Sequence, residues 1–458
     1  MAKLLKFSVC VSSLLVLFIH FSFAQSGKAL SLKECLDIAL QNNSDLKSAV
    51  YQVDRAGANV KSSYSAVLPR LSLSLTSGRD FQGATAIQQL NPVGFDTTTG
   101  EVIVERRTTT IGSSTVPSYS AVLRYSQTLF DFGRNWNTIK QSKASYNAMS
   151  SNLASARQNV YTRVKQRYFE LLKAVNLERE YNEAVKRSKE QLNRTQSMYE
   201  IGSVAQVDVY RSEVTLGNDQ INAISQKNIV KIARGNLNVA MGRDPETPIT
   251  ITEMEIATQP SKYTLEDAIK ISEKNNPQLH RFEFDMQGAE YGRKAAKGAF
   301  LPSIGVSVNY FRSNTQFGRV YGDLSKDFRA TIDFSFNYDI FNGLADAAEI
   351  SRQSANYSIA KENWINTRRQ THLEVKQALL NLQAFIAISK INEKNLRAAE
   401  EEYRLAQERY RVGAGTQLEV TEAQVSLTRA RVTLVRAKYD AMIAQAQLEA
   451  AMGLTEER

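Results

Sequence analysis

The feature that most limits what this chain can fold into is that it repeats itself. The segment "LSLKECLDIALQNNSDL" (30–46) aligns with "YTLEDAIKISEKNNPQL" (263–279), setting Leu32 on Leu265, Asn42-Asn43 on Asn275-Asn276 and Leu46 on Leu279. Leu68-Pro69 recurs as Leu301-Pro302, and "LFDFG" ending at Gly133 recurs as "DIFNG" ending at Gly343. Farther on, Tyr199, Gly202 and Val209 meet Tyr410, Gly413 and Val420, and Leu237, Ala240, Met241 and Gly242 meet Leu448, Ala451, Met452 and Gly453. A chain built this way folds as two similar units that lean on one another.

The units divide the chain into a first repeat over 25–241, a connector over 242–262 that holds Pro245, Pro248 and Pro260, a second repeat over 263–453, and a short tail over 454–458. The first copy carries an insert between Pro69 and Gly133. It falls in Gly78 to Pro117, rich in Thr, Ser and Gly with no helical period, and reads as a long hairpin loop. The matching loop of the second copy, near Ser313 to Lys326, is shorter.

Each copy holds a pair of alternating segments, about 68–130 and 302–341, the pattern of a strand with different surroundings on its two faces. Phe328, Ala330, Ile332, Phe334, Phe336, Tyr338 and Ile340 share one face, and Arg329, Thr331, Asp333, Ser335, Asn337 and Asp339 the other. Ser303 to Tyr310 alternates too, as do Leu71, Leu73 and Leu75 against Ser72, Ser74 and Thr76. Tyr119, Ala121, Leu123 and Tyr125 likewise oppose Ser118, Ser120, Val122 and Arg124. A one-sided soluble sheet alternates as well, but four strands with aromatic ends in an exported chain fit an outer-membrane barrel wall. Arg124, Arg329, Asp333 and Asp339 would then face the lumen. Four strands cannot close such a barrel, so several chains must pool theirs.

After each strand pair comes a long proline-free stretch, Arg134 to Tyr199 and Leu344 to Tyr410, followed by a return segment, so that helical hairpins are expected over 134–241 and 344–453. Apolar residues recur at steps of three and four, as in Val375, Leu379, Leu382 and Ile386, which is coiled-coil spacing.

The first residues speak to compartment. Lys3 and Lys6 precede an apolar run from Phe7 to Phe21, and Ser22-Phe23-Ala24 supplies small residues for cleavage, so 1–24 reads as a secretory signal peptide. Cys10 lies inside it, which leaves Cys35 as a lone cysteine with no disulfide partner, expected to be a half-buried helix residue. The formal charge of +10 is spread along helices among comparable numbers of Asp and Glu, so nucleic acid is not implied. Two mature histidines, His280 and His372, no HExxH, no phosphate loop and no serine elbow give no basis for an enzyme or a cofactor.

The hairpin tips read "MYEIGSVAQVDVYRSEV" (198–214) and "RYRVGAGTQLEVTEAQV" (409–425). Taken in order with the Leu-Pro before each strand pair and the Gly-ending motif after it, they resemble those of TolC-type outer-membrane efflux proteins over nearly the whole mature chain. The resemblance implies a mixed α and β membrane protein, a homotrimer whose protomers each give four strands to a twelve-stranded barrel continued by a helical tunnel across the periplasm. It also implies partners: a periplasmic adaptor (membrane fusion) protein and an inner-membrane transporter of the RND, ABC or a similar class. The expected function is a passive exit duct for efflux or type I secretion, set in outer-membrane lipid; a trimeric coiled-coil stalk or adhesin with a small barrel anchor is the competing reading.

On this resemblance Tyr199, Gly202, Tyr410 and Gly413 mark the gate and adaptor-docking tips, although turn formation alone also explains the two glycines. Asp208, Glu419 and Glu422 mark the periplasmic entrance, where threefold symmetry would turn each carboxylate into a cation-selective ring. Favourable charge near a helix N-terminus explains them equally. Gly415 stands where the family places a latch arginine, so that half of the closed-state latch does not carry over; Tyr410 occupies the other latch position.

Overall fold

The structure is a computed structural model that describes residues 29–254 and 262–454. The expected signal peptide, residues 255–261 of the connector and residues 455–458 of the tail lie outside the described residues.

In chain order the elements are α1 (Leu32–Asn42), α2 (Ser44–Ser63), β1 (Arg70–Gln82), β2 (Thr85–Phe95), β3 (Val102–Ile111), β4 (Ser114–Phe130), α3 (Arg134–Glu200) and α4 (Gln206–Ala240). The second copy follows as α5 (Leu265–Asn275), α6 (Pro277–Gly298), β5 (Ser303–Asn314), α7 (Phe317–Tyr321), β6 (Arg329–Asn337), α8 (Ala345–Arg411) and α9 (Gln417–Ala451). Helices α3 and α8 both have 67 residues, α4 and α9 both 35, and α1 and α5 both 11. At ~1.5 Å per residue the long helices reach ~100 Å.

The duplication persists at the level of caps. Asn43 caps α2 by accepting from the N–H groups of Asp45 and Leu46, and Asn276 caps α6 by accepting from Gln278 and Leu279. Their amide nitrogens donate to the carbonyls of Ala240 (3.3 Å) and Ala451 (3.5 Å), tying each short helix pair to the end of its own return helix. There Gly242 (φ 73°) and Gly453 (φ 77°) terminate α4 and α9. A Cβ on Gly242 would meet the Asn42 backbone at 2.8 Å, and one on Gly453 would meet the Asn275 backbone at 2.6 Å, so both sites exclude a side chain.

Two apolar cores sit at this level. In one, Cys35, Leu36, Val164, Tyr168, Leu237 and Met241 pack together; in the other Ala268, Val375, Leu379, Leu382, Leu448 and Met452 do. Cys35 stands where the second copy has Ala268, and it is fully buried rather than half-buried, because it sits inside the core that α1 forms against α3. Burial pushes its thiol up to about 11, with Glu34 adding to the rise and Arg243 opposing it. The connector is ordered where it meets the first core: Leu30 pairs in parallel with Ile251 through hydrogen bonds of 2.9 and 3.0 Å.

Four strands form one antiparallel sheet in the order β1–β4–β5–β6. Its register places Leu71, Leu73 and Leu75 beside Tyr125, Leu123 and Ala121, and continues through Val308 and Tyr310 to Ile332 and Ala330. Leu71, Leu73, Ile332, Phe334 and Phe336 are all about two-thirds exposed or more, a continuous apolar face that water does not favour. Aromatics flank it: Phe130 and Phe132 at one end, with centroids 4.7 Å apart, and Tyr119, Phe317, Tyr321, Tyr310 and Phe328 at the other. The eleven steps from Tyr119 to Phe130 span about 28 Å at a strand tilt of ~40°, close to the ~25 Å apolar band of an outer-membrane barrel.

Two details differ from the sequence reading. The insert of the first copy is not an irregular loop: β1 and β4 extend into it and β2 pairs with β3 as a separate two-stranded ribbon. And β6 ends at Asn337, which pairs with Ser303 at the base of β5, so Asp339 lies beyond the sheet and not on its lumen face. With no partner strand past Ser303, the alternation of Tyr338 to Ile340 has no ladder to join.

Candidate functional site

The two hairpin tips are built alike. In the first, the N–H of Gly202 (φ 73°) donates to Tyr199 O and that of Ser203 to Met198 O, both at 2.8 Å; in the second, Gly413 (φ 76°) donates to Tyr410 O at 3.1 Å and Ala414 to Arg409 O at 2.9 Å. Each is the paired closing bond that lets a helix stop on a left-handed glycine. Tyr199 supplies its carbonyl to this turn, and the residue is 38% exposed.

The second tip is tighter. Gly415 also donates to Arg409 O (3.1 Å), and a Cβ at 415 would press on Arg409 Cβ at 3.1 Å and Tyr410 N at 3.2 Å. The turn therefore favours glycine where the resemblance would place an arginine. Arg409 instead donates to Ala414 O (3.1 Å) and lies 3.6 Å from the Glu419 carboxylate, while Thr416 caps α9 by accepting from the Glu419 N–H.

The structure brings Tyr410 to the first hairpin: its hydroxyl donates to Met198 Sδ at 3.3 Å. Burial holds its phenol above the ordinary range, the Asp208 charge raises it further, and Arg194 works the other way. Tyr410 thus joins the two tips beside Asp208, itself 3.5 Å from Arg211. Glu419 is shared with Arg409, whereas Glu422, one turn farther along α9, is exposed and has no ion pair among the described residues.

Above the tips the seam between the two hairpins is polar, which sequence reasoning missed. Gln191 donates to Gln417 (2.9 Å), Gln417 to Ser212 (3.5 Å), Ser212 to Thr195 (3.4 Å) and Gln424 to Ser188 (2.8 Å), with Ser188 donating to Asp219. All but Asp219 are buried. The signal lay in spacing, since Gln417 and Gln424 stand one heptad apart on one face of α9. Inside the second hairpin the packing is apolar instead: Ala399 with Leu427 and Ala430, and Ala406 with Val420 and Ala423.

On the polar face of the sheet, Arg124 Nε donates to Asn309 Oδ1 (2.9 Å) and Asn309 Nδ2 to Asp333 Oδ2 (3.3 Å), a row across β4, β5 and β6. Arg329 shares this face, opposite Phe311. Among the described residues no helix is long and apolar enough to cross a membrane, and no group of three His, Cys, Asp or Glu is placed to hold a metal ion.

The family model for "outer membrane efflux protein" matches residues 35–243 and 268–454, both repeats almost entirely. The chain belongs to this family. As an outer membrane efflux protein it is 21% identical to the outer membrane protein TolC of Escherichia coli K12, over 81% of its own length and 71% of TolC. To the outer membrane efflux protein BepC of Brucella suis it is 23% identical, over 82% and 75%. Its fold matches the crystal structure of CusC with a TM-score of 0.78 at 18% identity, over 92% of each chain, and that of the Campylobacter jejuni CmeC outer membrane channel with 0.74 at 20% identity, over 93% and 86%. This efflux protein is accordingly an outer-membrane channel protein of a Gram-negative bacterium, with its helical portion in the periplasm.

Proposed function

We propose that three copies of this chain close into one passive exit duct, a twelve-stranded barrel in the outer membrane continued by a helical tunnel. The observation that carries this is a set of open edges. The sheet ends on β1 and β6, whose outer backbone groups have no partner strand among the described residues, and lipid tolerates no such edge. Toward the tips α4 packs on α3, α3 on α9 and α9 on α8, so α4 and α8 are edges too.

Both edge helices carry apolar rows left uncovered among the described residues: Val207, Tyr210, Val214, Ile221 and Ile224 on α4, and Leu373, Leu380, Ile391 and Leu405 on α8, every one about half exposed or more. The steps of three, four and seven on α4, and of seven, eleven and fourteen on α8, are those of a coiled-coil seam. A rotated copy offers α8 to α4 and β6 to β1 at once, which closes sheet and helices with one symmetry operation.

The tips form the entrance, with Tyr410 as the bond between hairpins and Asp208, Glu419 and Glu422 as its acidic lining; Tyr199, Gly202 and Gly413 shape the surface that a periplasmic adaptor meets. An inner-membrane transporter supplies both cargo and energy. The test is single-channel recording of the purified protein in planar bilayers, with Tyr410→Ala beside the native chain. The native protein is expected to pass small cations at low conductance and the variant at higher conductance; no ion passage by either overturns the duct.

A further inference from the structure

The loop that joins β5 to β6 has no part in the duct, yet it is anchored with care. Tyr119, Tyr310 and Arg312 stand on the apolar face of the sheet, because Tyr310 pairs with Leu123 and Arg312 with Ala121 in the register. The loop folds back onto that same face. Phe317 meets the Tyr119 ring edge-on at 5.6 Å, the Tyr321 hydroxyl donates to Thr76 O (3.0 Å) and Ser120 O (3.3 Å), Tyr310 stacks on Phe328 at 5.3 Å, and Val320 is 1% exposed. It therefore lies against the outer wall at the level of the aromatic band and does not arch over the mouth.

Its outward side pairs apolar groups with cations. Phe317 and Leu324 are 61% and 66% exposed, and Arg319 and Lys326 are exposed beside them. Beneath them Arg312 is 1% exposed. Its Nη2 donates to Arg319 O (2.5 Å) and Asp323 O (2.7 Å), its Nε and Nη1 have no acceptor among the described residues, and no described carboxylate lies within ion-pair distance. Hydrogen bonds from Ser325 chiefly lower the Asp323 carboxyl, and the Arg312 charge helps. Lys326 alone has a carboxylate partner, Asp323 at 3.3 Å in an exposed pair. The two loop cations are matched in number by Asp323 and Asp327, so Arg312 supplies the one net positive charge of the patch. With two protruding apolar side chains on a wall that meets acyl chains, this is the arrangement of an interfacial lipid-binding element.

We propose that the β5–β6 loop is a docking surface for a phosphorylated lipid of the outer leaflet, with acyl chains against Phe317 and Leu324 and phosphate over Arg319 and Lys326, drawn also by the Arg312 charge beneath. This rests on the reading that the apolar face of the sheet meets lipid.

Native mass spectrometry of the full-length protein in detergent, titrated with bis-phosphorylated lipid A or with its dephosphorylated form, tests it. Each cation near an anionic lipid surface contributes about fivefold in affinity, so Arg319→Gln with Lys326→Gln should lower lipid A retention on the order of twentyfold and leave the dephosphorylated form unaffected. Phe317→Ser with Leu324→Ser should weaken both forms. Equal retention by the native and Gln-substituted proteins overturns the site, as does displacement of lipid A by inorganic phosphate alone, which marks a free-anion site. Bilayer conductance of the same preparations separates the outcomes: a conducting channel that ignores lipid phosphate overturns only this docking surface, whereas a non-conducting native protein overturns the duct on which it rests.

Discussion

Glu273 shows how one side chain can join two helices near the middle of the molecule. It projects from α5 to α8, where Arg368 donates to it at 2.8 Å and His372 lies 2.9 Å away. The hydrogen bond from Arg368 is the leading reason its carboxyl sits below the ordinary 4.5; partial burial opposes the fall and the His372 contact adds to it. A carboxyl lowered by folding contributes stability that is present above its unfolded value and is lost as pH falls through the folded one. The native chain should therefore lose melting temperature below about pH 4.5 more steeply than Glu273→Gln, with a difference at pH 7 of at most ~1 kcal/mol because the pair is partly exposed. Calorimetry at pH 7 and pH 4 reads this; parallel losses in both proteins would remove Glu273 from the account.

At the scale of elements, the helix ends separate glycines that share a backbone conformation but differ in surroundings. Gly413 and Gly453 both have positive φ, yet a Cβ on Gly413 meets nothing within 4 Å and one on Gly453 meets the Asn275 backbone at 2.6 Å. Gly413→Ala should cost about 1–2 kcal/mol, the price of a left-handed alanine, and Gly453→Ala clearly more, because the end of α5 must shift as well. Denaturant midpoints of the two variants check the order. The polar seam makes a different claim. Gln191→Leu alone strands Gln417 and should cost about 1–3 kcal/mol, whereas Gln191→Leu with Gln417→Leu should recover most of that. An apolar seam would also resist separation, so the double variant should stay closed more of the time in bilayer recordings.

Much of this architecture is legible in the residues, and the parts that are not have physical reasons. The paired asparagines and the matching glycines announced two copies because each serves the same bond in both. The strand faces were readable wherever a partner strand holds the alternation, and failed at Asp339 where pairing stops. The β2–β3 ribbon escaped notice because Arg106 to Thr110 carries no apolar alternation: the ribbon is exposed on both faces, so nothing selects one. At the site, the tip turns were readable from the spacing of aromatic and glycine, Tyr410 was singled out by the resemblance, and its contact with Met198 joins residues on different hairpins and exists only once α3 and α9 pack. Gln191, Gln417 and Gln424 looked like solvated helix residues, since a buried amide and an exposed one are the same letter.

For the whole molecule, symmetry decides which carboxylate matters. In the proposed trimer a threefold axis would multiply every residue at the entrance, but it would multiply the neutralising partners too: Arg409 comes with Glu419 and Arg211 with Asp208. Glu422 comes with no such partner among the described residues, so in that trimer its ring alone would bring net negative charge to the proposed constriction. In a narrow, water-poor passage such a charge acts over a short distance with little screening. Glu422→Gln should therefore lower the cation-over-anion permeability ratio, measured as reversal potential across a salt gradient, more than Glu419→Gln or Asp208→Asn, and the gap should narrow as salt is raised. Removing Glu419 also frees Arg409, so that variant should shift toward anions only if the freed guanidinium turns into the pore. Equal reversal potentials for all three variants would place the selectivity elsewhere, with the Arg124–Asn309–Asp333 row of the barrel as the next charged constriction to test.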